Sequence, residues 1–187
     1  MFFTNCGIIN SPFFNNDYKM KGMAIVNFKS FRGIVTQIND FMITQNGEGE
    51  GCYKLMTVED GHGGIVNFVI SPTTYFVNHE IVTVGNHITG YYDGDAPVPL
   101  IYPPQYSALI IVKENNYQQV KVDFFNGQLV SSDGQLKLNL SPYTPMFLTN
   151  GQPFSKNPAN RNLIVIYGPT TRSIPAQTTP YKIIVWC

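Results

Sequence analysis

Charged side chains are scarce in this chain of 187 residues, and neither sign of charge dominates. Asp, Glu, Lys and Arg together make up 13% of the sequence, about half of the ~25% typical of soluble domains, and twelve basic residues balance twelve acidic ones. Binding to a phosphodiester backbone requires a concentrated positive field, so this composition argues against nucleic acid as a partner. The hydrophobic content of 43% also excludes a charge-rich disordered chain.

Long apolar runs and targeting signals are also missing. No stretch approaches the ~18 apolar residues that a membrane span requires. Residues 1–6 lack the basic and apolar regions of a secretory signal. We therefore expect no membrane association and a cytoplasmic protein, or an extracellular one if a signal peptide has been removed.

Cysteine and histidine are too few and too scattered for a common metal or redox motif. Cys6, Cys52 and Cys187 form no C-x-x-C pair, so we expect unpaired thiols, with a link between the first and last of them as the open alternative. The three histidines lack metal-ligand spacing, and residues 93–95 (Asp-Gly-Asp) are typical of a turn rather than of a calcium loop. We predict no metal and no cofactor.

A catalytic set is not recognisable either. The sequence has no Gly-x-Ser-x-Gly element, and spacing pairs no nucleophile with a base. We therefore predict no catalytic residues and a protein that is not an enzyme.

Turn and strand residues are what the sequence does contain. It has 16 Gly, 13 Pro, 13 Phe and 11 Tyr, and its apolar residues alternate with a period of two rather than 3.6. The Asp60-Gly61 step between residues 53–58 and 65–70 predicts a hairpin. Further strands are predicted over residues 24–28, 33–38, 41–44, 81–84, 87–92 and 107–112. The fold class predicted is all-β.

The same alternation predicts the core, because successive side chains of a strand point to opposite faces. The residues predicted to be buried in the first half are Ile34, Ile38, Val66, Phe68 and Ile70. Those predicted to be buried in the second half are Leu136, Leu138 and Leu140. Lys137 and Asn139 are then expected to face outward.

An internal repeat is the most informative feature of the sequence. Residues 64–74 (GIVNFVISPTT) align without a gap with residues 134–144 (GQLKLNLSPYT), so that Gly, three alternating apolar positions, Ser-Pro and Thr coincide. Further along, residues 104–110 align with residues 180–185. This self-similarity predicts an internal duplication.

Each copy would hold about five strands with a long connection after the third, which is the outline of a partly open Greek-key barrel of the OB type. We therefore predict two tandem OB-like barrels, at residues 27–113 and 118–187, preceded by an N-terminal extension at residues 1–26. A single β-sandwich built from the same strands is the alternative, since both solutions bury one face of each strand.

Two motifs carry a resemblance to a known family: YYDG at residues 91–94 and APVPLIYPPQY at residues 96–106. Together they resemble a segment of a bacterial protein family that has an OB-like β-barrel domain and no assigned function. The resemblance covers residues 33–112 approximately. It implies a barrel and a bacterial source, and it implies no activity.

The segment between residues 91 and 106 is also the best candidate for recognition. Its four prolines fix φ and stiffen it, so aromatic rings could be presented at little entropic cost. The residues predicted to bind a ligand are Tyr91, Tyr92, Tyr102 and Tyr106. In the alternative interpretation, the loop caps the end of the barrel and these rings pack into the core.

The function predicted is that of a non-enzymatic bacterial binding or assembly module. The sequence does not identify its ligand, and a protein and a glycan are the candidate partners. One alternative is a glycan- or peptide-binding domain that uses the Tyr/Pro-rich segment, because aromatic faces and oriented amides suit such ligands. The other is binding of single-stranded nucleic acid on aromatic side chains, which the sparse basic residues disfavour.

Overall fold

The fold was taken from a computed structural model, which describes residues 26–42 and 51–187. A first set of strands comprises β1 (Phe28–Asp40), β2 (Lys54–Glu59), β3 (Ile65–Ile70), β4 (Tyr75–Phe76), β5 (His87–Asp93), β6 (Gln105–Ser107) and β7 (Ile110–Lys113). A second set comprises β8 (Gln119–Phe125), β9 (Leu136–Leu138), β10 (Met146–Leu148), β11 (Arg161–Tyr167), β12 (Ala176–Thr178) and β13 (Lys182–Trp186). These strands and a 3-10 turn at Val77–His79 are the regular elements of the described ranges. No helix within those ranges could span a membrane. The all-β prediction is confirmed.

The strands form several sheets, none of which closes into a barrel. The first set makes a seven-stranded sheet of order β4-β7-β5-β1-β2-β3-β6. The second makes a four-stranded sheet, β10-β13-β11-β8, and a two-stranded one, β12-β9. One core cluster joins Ile110 and Val112 of β7 to Val122, Ile164 and Ile184 of the second set. At the coarse level the molecule is therefore sandwich-like, with the two larger sheets packed against each other.

Each strand set also has a core cluster of its own. Val58, Phe68 and Ile88 lie in the cluster of the seven-stranded sheet, and all three are fully buried. Phe125 and Leu163 lie in the corresponding cluster of the second set and are equally buried. Strands β7 and β11 thus carry buried apolar side chains on both of their faces, which contributes to the high hydrophobic content of the sequence.

The predicted hairpin joins β2 to β3 and owes its turn to Asp60. The Asp60 carboxylate accepts hydrogen bonds from the backbone N–H groups of His62 and Gly64, which lower the pKa of that carboxyl. Gly61 and Gly63 both adopt positive φ, a conformation that glycine reaches without steric cost. The turn therefore forms where the Asp-Gly step predicts it.

Strand β1 differs from the prediction, because a β-bulge interrupts its alternation. The strand runs unbroken from Phe28 to Asp40, and its register to β2 shifts between Val35 and Gln37. The extra residue at the bulge moves the inward face by one position. Val35 is consequently buried, whereas Ile34, predicted to be buried, is 38% exposed.

The other core predictions can be scored side chain by side chain. Val66, Phe68 and Ile70 are buried, as are Leu136 and Leu138, so these are confirmed. Ile38 and Leu140 are half-buried and pack against the clusters of their own halves. Lys137 is half-buried rather than fully exposed, and Asn139 is exposed.

Several other predictions from the sequence either need correction or fall outside the described residues. Residues 81–84 form no strand: Ile81 is 81% exposed, and the chain turns where Thr83 donates its backbone N–H to the side chain of Asn86. The predicted extension at residues 1–26 lies almost wholly outside the described residues. Of the predicted strands at residues 24–28 and 41–44, the described residues 26–27 and 41–42 are not in a strand, Phe28 begins β1, and the rest lie outside the described residues. Cys6 lies outside them too, and Cys52 and Cys187 are exposed.

The two strand sets have the same pattern of pairing. Strand β3 pairs in parallel with β6, and β9 pairs in parallel with β12. Strand β4 pairs in parallel with β7, and β10 with β13. Strand β5 lies antiparallel between β1 and β7, and β11 lies antiparallel between β8 and β13. Where the first set has β2, the second has only isolated bridges at Val130 and Ser131.

The repeated turn after β3 and β9 is built from the same contacts. The backbone N–H of Ser71 donates to the hydroxyl of Thr74 at 2.9 Å, and that of Ser141 donates to the hydroxyl of Thr144 at 3.0 Å. In each case the threonine N–H bonds back to the serine carbonyl. The Ser-Pro-x-Thr motif therefore encodes one turn used twice.

Downstream, the pairing corrects the sequence alignment of the two halves. The sequence match placed Gln105 opposite Tyr181. In the structure Gln105 is the partner of Asn67 on β3, and Gln177 is the partner of Lys137 at the matching position of β9. Gln105 therefore corresponds to Gln177, because the connection between β11 and β12 is shorter than the one between β5 and β6.

Candidate functional site

The Tyr/Pro loop, defined here as residues 94–104 between β5 and β6, is anchored at its base. The Asp93 carboxylate accepts the backbone N–H of Asp95 at 3.0 Å, which is the turn that Asp-Gly-Asp predicts. Gly94 N–H donates to the Asn27 carbonyl at 2.8 Å, and the Asn27 side-chain amide donates to Asp95 at 2.9 Å. The loop thus leaves the sheet from a fixed starting point beside β1.

The tip of this loop, defined as residues 98–102, exposes four large apolar side chains. Leu100 is fully exposed, Tyr102 is 79% exposed, and Val98 and Ile101 are each about half exposed. Prolines flank them on both sides and limit the backbone to a narrow range of φ. Most large apolar side chains of a soluble protein are covered, so an exposed run of four with intervening proline forms a surface suited to contact.

Two of the predicted tyrosines, Tyr92 and Tyr106, support the loop rather than project from it. Their rings are stacked, with centroids 3.9 Å apart and planes inclined by 13°. Both tilt against the buried ring of Phe68 at 6.2 and 6.5 Å. Burial, with a smaller contribution from Tyr106, raises the pKa of Tyr92. The pair closes the space between β5 and β6 over the core.

Tyr91, the fourth predicted residue, lies on the opposite face of the sheet. It packs against the cluster between the two large sheets, whereas its neighbour Tyr92 packs against the cluster that contains Phe68. Burial, reinforced by Tyr167, Glu114 and Asp123, raises the pKa of the Tyr91 phenol to about 12. Tyr91 therefore does not share a surface with the other three.

A cavity of about 250 Å³ beside Tyr91 was not foreseen from the sequence. Its main polar feature is Glu114, which accepts hydrogen bonds from the Arg32 guanidinium and the Thr89 hydroxyl. These contacts tie the residue after β7 to β1 and β5. The ion pair fixes the segment that leads to the second strand set.

A groove lies beneath the Tyr/Pro loop, between β5 and β6; we call it the seam groove. Its volume is about 420 Å³, and its walls include Tyr92, Tyr106, Ser107 and residues 96–99. Asp93 is the one charged residue among those that line it. The seam groove is therefore mainly apolar, with a single negative charge at one end.

Within residues 26–42 and 51–187, no three His, Cys, Asp or Glu side chains lie close enough to hold a metal ion. His62 lies in the turn between β2 and β3, and His79 packs edge-on against the Tyr75 ring at 5.6 Å. His62 is therefore part of a turn, and His79 is part of a ring contact.

Replacing Tyr102 with alanine is expected to leave stability unchanged within about 0.5 kcal/mol, because its ring is exposed. The same change at Tyr106 is expected to lower the melting temperature by several degrees, since it removes a ring stacked on Tyr92 and tilted against Phe68. Thermal unfolding followed by circular dichroism compares the two variants. An equal loss from both would mean that the ring of Tyr102 is part of the core.

The sequence identified the loop but not its apolar tip. Val98, Leu100 and Ile101 form an apolar run inside a proline-rich segment, and that run was the signal from which the exposed tip could have been predicted.

Comparison with protein-family models, with curated proteins and with solved structures finds no match to this chain.

Proposed function

We propose that this protein is a non-enzymatic binding and assembly module that contacts a protein partner through the tip of its Tyr/Pro loop. The observation that carries the proposal is the exposure of Val98, Leu100, Ile101 and Tyr102 on a loop with an anchored base. A preorganised apolar surface loses little conformational entropy when a partner covers it. Tyrosine is enriched among the residues that contribute most to binding at protein interfaces, and Tyr102 is presented here beside exposed apolar residues.

The placement of the aromatic rings favours a protein partner over a sugar or a nucleic acid. Tyr92 and Tyr106 each cover one face of the other, so they form no open stacking platform. Phe68 and Phe125 are fully buried and unavailable to bases. Arg32, one of the few basic side chains near β1, is paired with Glu114. Leu100 and Ile101 have no polar atoms in their side chains to bond with a sugar.

Site-specific cross-linking tests the proposal. Tyr102 is replaced by a photo-reactive phenylalanine derivative in cells that produce the protein, and Tyr143, which is 91% exposed on the second strand set, is replaced in the same way as the control. We expect a discrete cross-linked product from position 102, lost when Leu100→Asp is added, and none from position 143. No product at 102, or the same product from both positions, would overturn the proposal. The product's mass distinguishes a second copy of the chain from a different protein.

We also propose that each strand set is an OB-like unit and that the two arose by internal duplication. Three features support this: the shared pairing pattern, the twice-used Ser-Pro-x-Thr turn, and the position of β6 and β7 in the chain. Only Ala108 and Leu109 separate β6 from β7, so one bent segment of chain pairs first with β3 and then with β5. A last strand that bridges the third and fourth in this way is the arrangement expected of a five-stranded Greek-key barrel.

A further inference from the structure

The outer edge of β6 carries backbone groups without hydrogen-bond partners. Pro104 accepts a bond from Asn67 of β3, and Ala108 donates one to Val69. Because alternate residues of a strand direct their N–H and C=O groups to opposite sides, those of Gln105 and Ser107 point away from β3. Across the described ranges, no main-chain or side-chain group bonds to them on that side. They lie instead along the seam groove.

The corresponding edge in the second strand set is occupied. Gln177, which matches Gln105, accepts a hydrogen bond at its carbonyl from the backbone N–H of Thr171 at 3.0 Å. Its own N–H donates to the Thr171 hydroxyl at 2.8 Å. A short piece of the connection between β11 and β12 therefore satisfies the outer edge of β12. In the first set the longer Tyr/Pro loop arches away and leaves the edge of β6 open.

We propose that the seam groove binds an extended peptide segment of a partner protein, which pairs with β6 at Gln105 as Thr171 pairs with Gln177. Addition of a strand to a free sheet edge is an established mode of peptide recognition, in which main-chain bonds give affinity and side-chain pockets give selectivity. The inference rests on the proposed function, because it names the part of a protein partner that the module binds.

The lining of the groove specifies the chemistry of this peptide. Tyr92, Tyr106 and Pro97 offer apolar walls for its side chains, and Asp93 favours a neutral or basic segment over an acidic one. An unpaired edge strand is also a site for unwanted association, and the arching loop with its prolines shields β6 from other copies. A peptide thin enough to enter beneath the loop would still reach the edge.

Amide hydrogen exchange on the full chain tests whether the edge is free. We expect the Gln177 amide to exchange at least about tenfold more slowly than that of Gln105, because only the former is hydrogen-bonded. Equal protection of the two amides in the free protein would overturn the proposal, since it would mean that the edge of β6 is already paired.

A peptide titration followed by NMR tests occupation of the groove. The probe is an end-capped hexapeptide that copies residues 169–174 (PTTRSI), the segment that contains Thr171. We expect saturable shifts of the Gln105 and Ser107 amides. The control peptide is methylated on the backbone nitrogen of the residue that copies Thr171; it lacks one hydrogen bond and should bind about 3–10-fold more weakly. The absence of shifts at Gln105, or equal affinity of the two peptides, would overturn the proposal.

The variant Gln105→Pro allows a second test with the same peptide titration. It removes the outward N–H without disturbing the bonds to β3, and proline is tolerated on an edge strand when its nitrogen faces away from the sheet. We expect the peptide affinity to fall at least about threefold, as for loss of one hydrogen bond. If the variant keeps full affinity, or cross-linking from position 102 persists while the peptide fails to bind, the edge proposal is wrong although the proposed function stands.

Discussion

Replacing Phe68 with alanine is expected to lower the free energy of unfolding by about 3–5 kcal/mol. Phe68 is fully buried in the core cluster of the first strand set, and it contacts the rings of both Tyr92 and Tyr106. A Cβ atom at Gly90 would lie 2.5 Å from this ring, so the ring fills the space above that glycine. Urea unfolding measures the loss, and the melting temperature should fall by roughly 6–20 °C.

The variant Gly90→Ala provides the control. In the wild type the new methyl group meets the Phe68 ring and destabilises the protein by about 1–3 kcal/mol, as overpacking does. Combined with Phe68→Ala, the same methyl enters the void, so the double variant should be more stable than the sum of the two single losses predicts. A loss below about 1 kcal/mol for Phe68→Ala, or simple additivity of the pair, would contradict the packing described here.

Regular strands could be predicted from the sequence, because their side chains alternate without interruption. Val66, Phe68 and Ile70 on β3 show this, as do Leu136 and Leu138 on β9. Strand β1 shows the limit of the method. The bulge after Val35 adds one residue that has no sequence signature, and every face assignment before it then changes by one.

Residues 81–84 mislead for a different reason. The sequence Ile-Val-Thr-Val has strong β propensity, but Asn78 and His79 just before it both adopt positive φ, and Thr83 and Asn86 form a turn at its end. Propensity describes a residue's fit to a pleated surface, and here no strand pairs with residues 81–84. The strand propensity of these four residues therefore does not determine their structure.

The candidate site was predictable as a segment but not as an arrangement. Strand periodicity by itself separates Tyr91 from Tyr92, since adjacent residues face opposite sides of a sheet. The stacking of Tyr92 on Tyr106 depends on the approach of β5 and β6 in space, which no local pattern encodes. The free edge at Gln105 becomes visible only through its counterpart Gln177, whose bonds to Thr171 show what a completed edge looks like.

The two strand sets are coupled through the core that they share. Ile110 and Val112 of the first set and Val122, Ile164 and Ile184 of the second are all nearly inaccessible within one cluster. Separating the sets would expose this apolar surface to water, at a cost of roughly 25 cal/mol for each Å². We therefore expect the described strands to unfold together, so that a change in the core of one set is felt by the other.

Replacing Leu138 with alanine tests both the register of β9 and this coupling. Leu138 is 3% exposed, and truncation of a buried leucine costs about 2–5 kcal/mol. Asn139→Ala, at an exposed position, should cost less than about 0.5 kcal/mol.

The same variant tests the coupling of the two sets, because Leu138 lies in the second set's own cluster and that cluster contains no residue of β3. If the shared cluster makes unfolding cooperative, hydrogen exchange should show the most protected amides of β3 losing as much protection as those of β11. A cost below about 1 kcal/mol for Leu138→Ala would mean that this side chain does not face the core. Unchanged protection in β3 would show that the two strand sets unfold independently and that the shared cluster does not couple them.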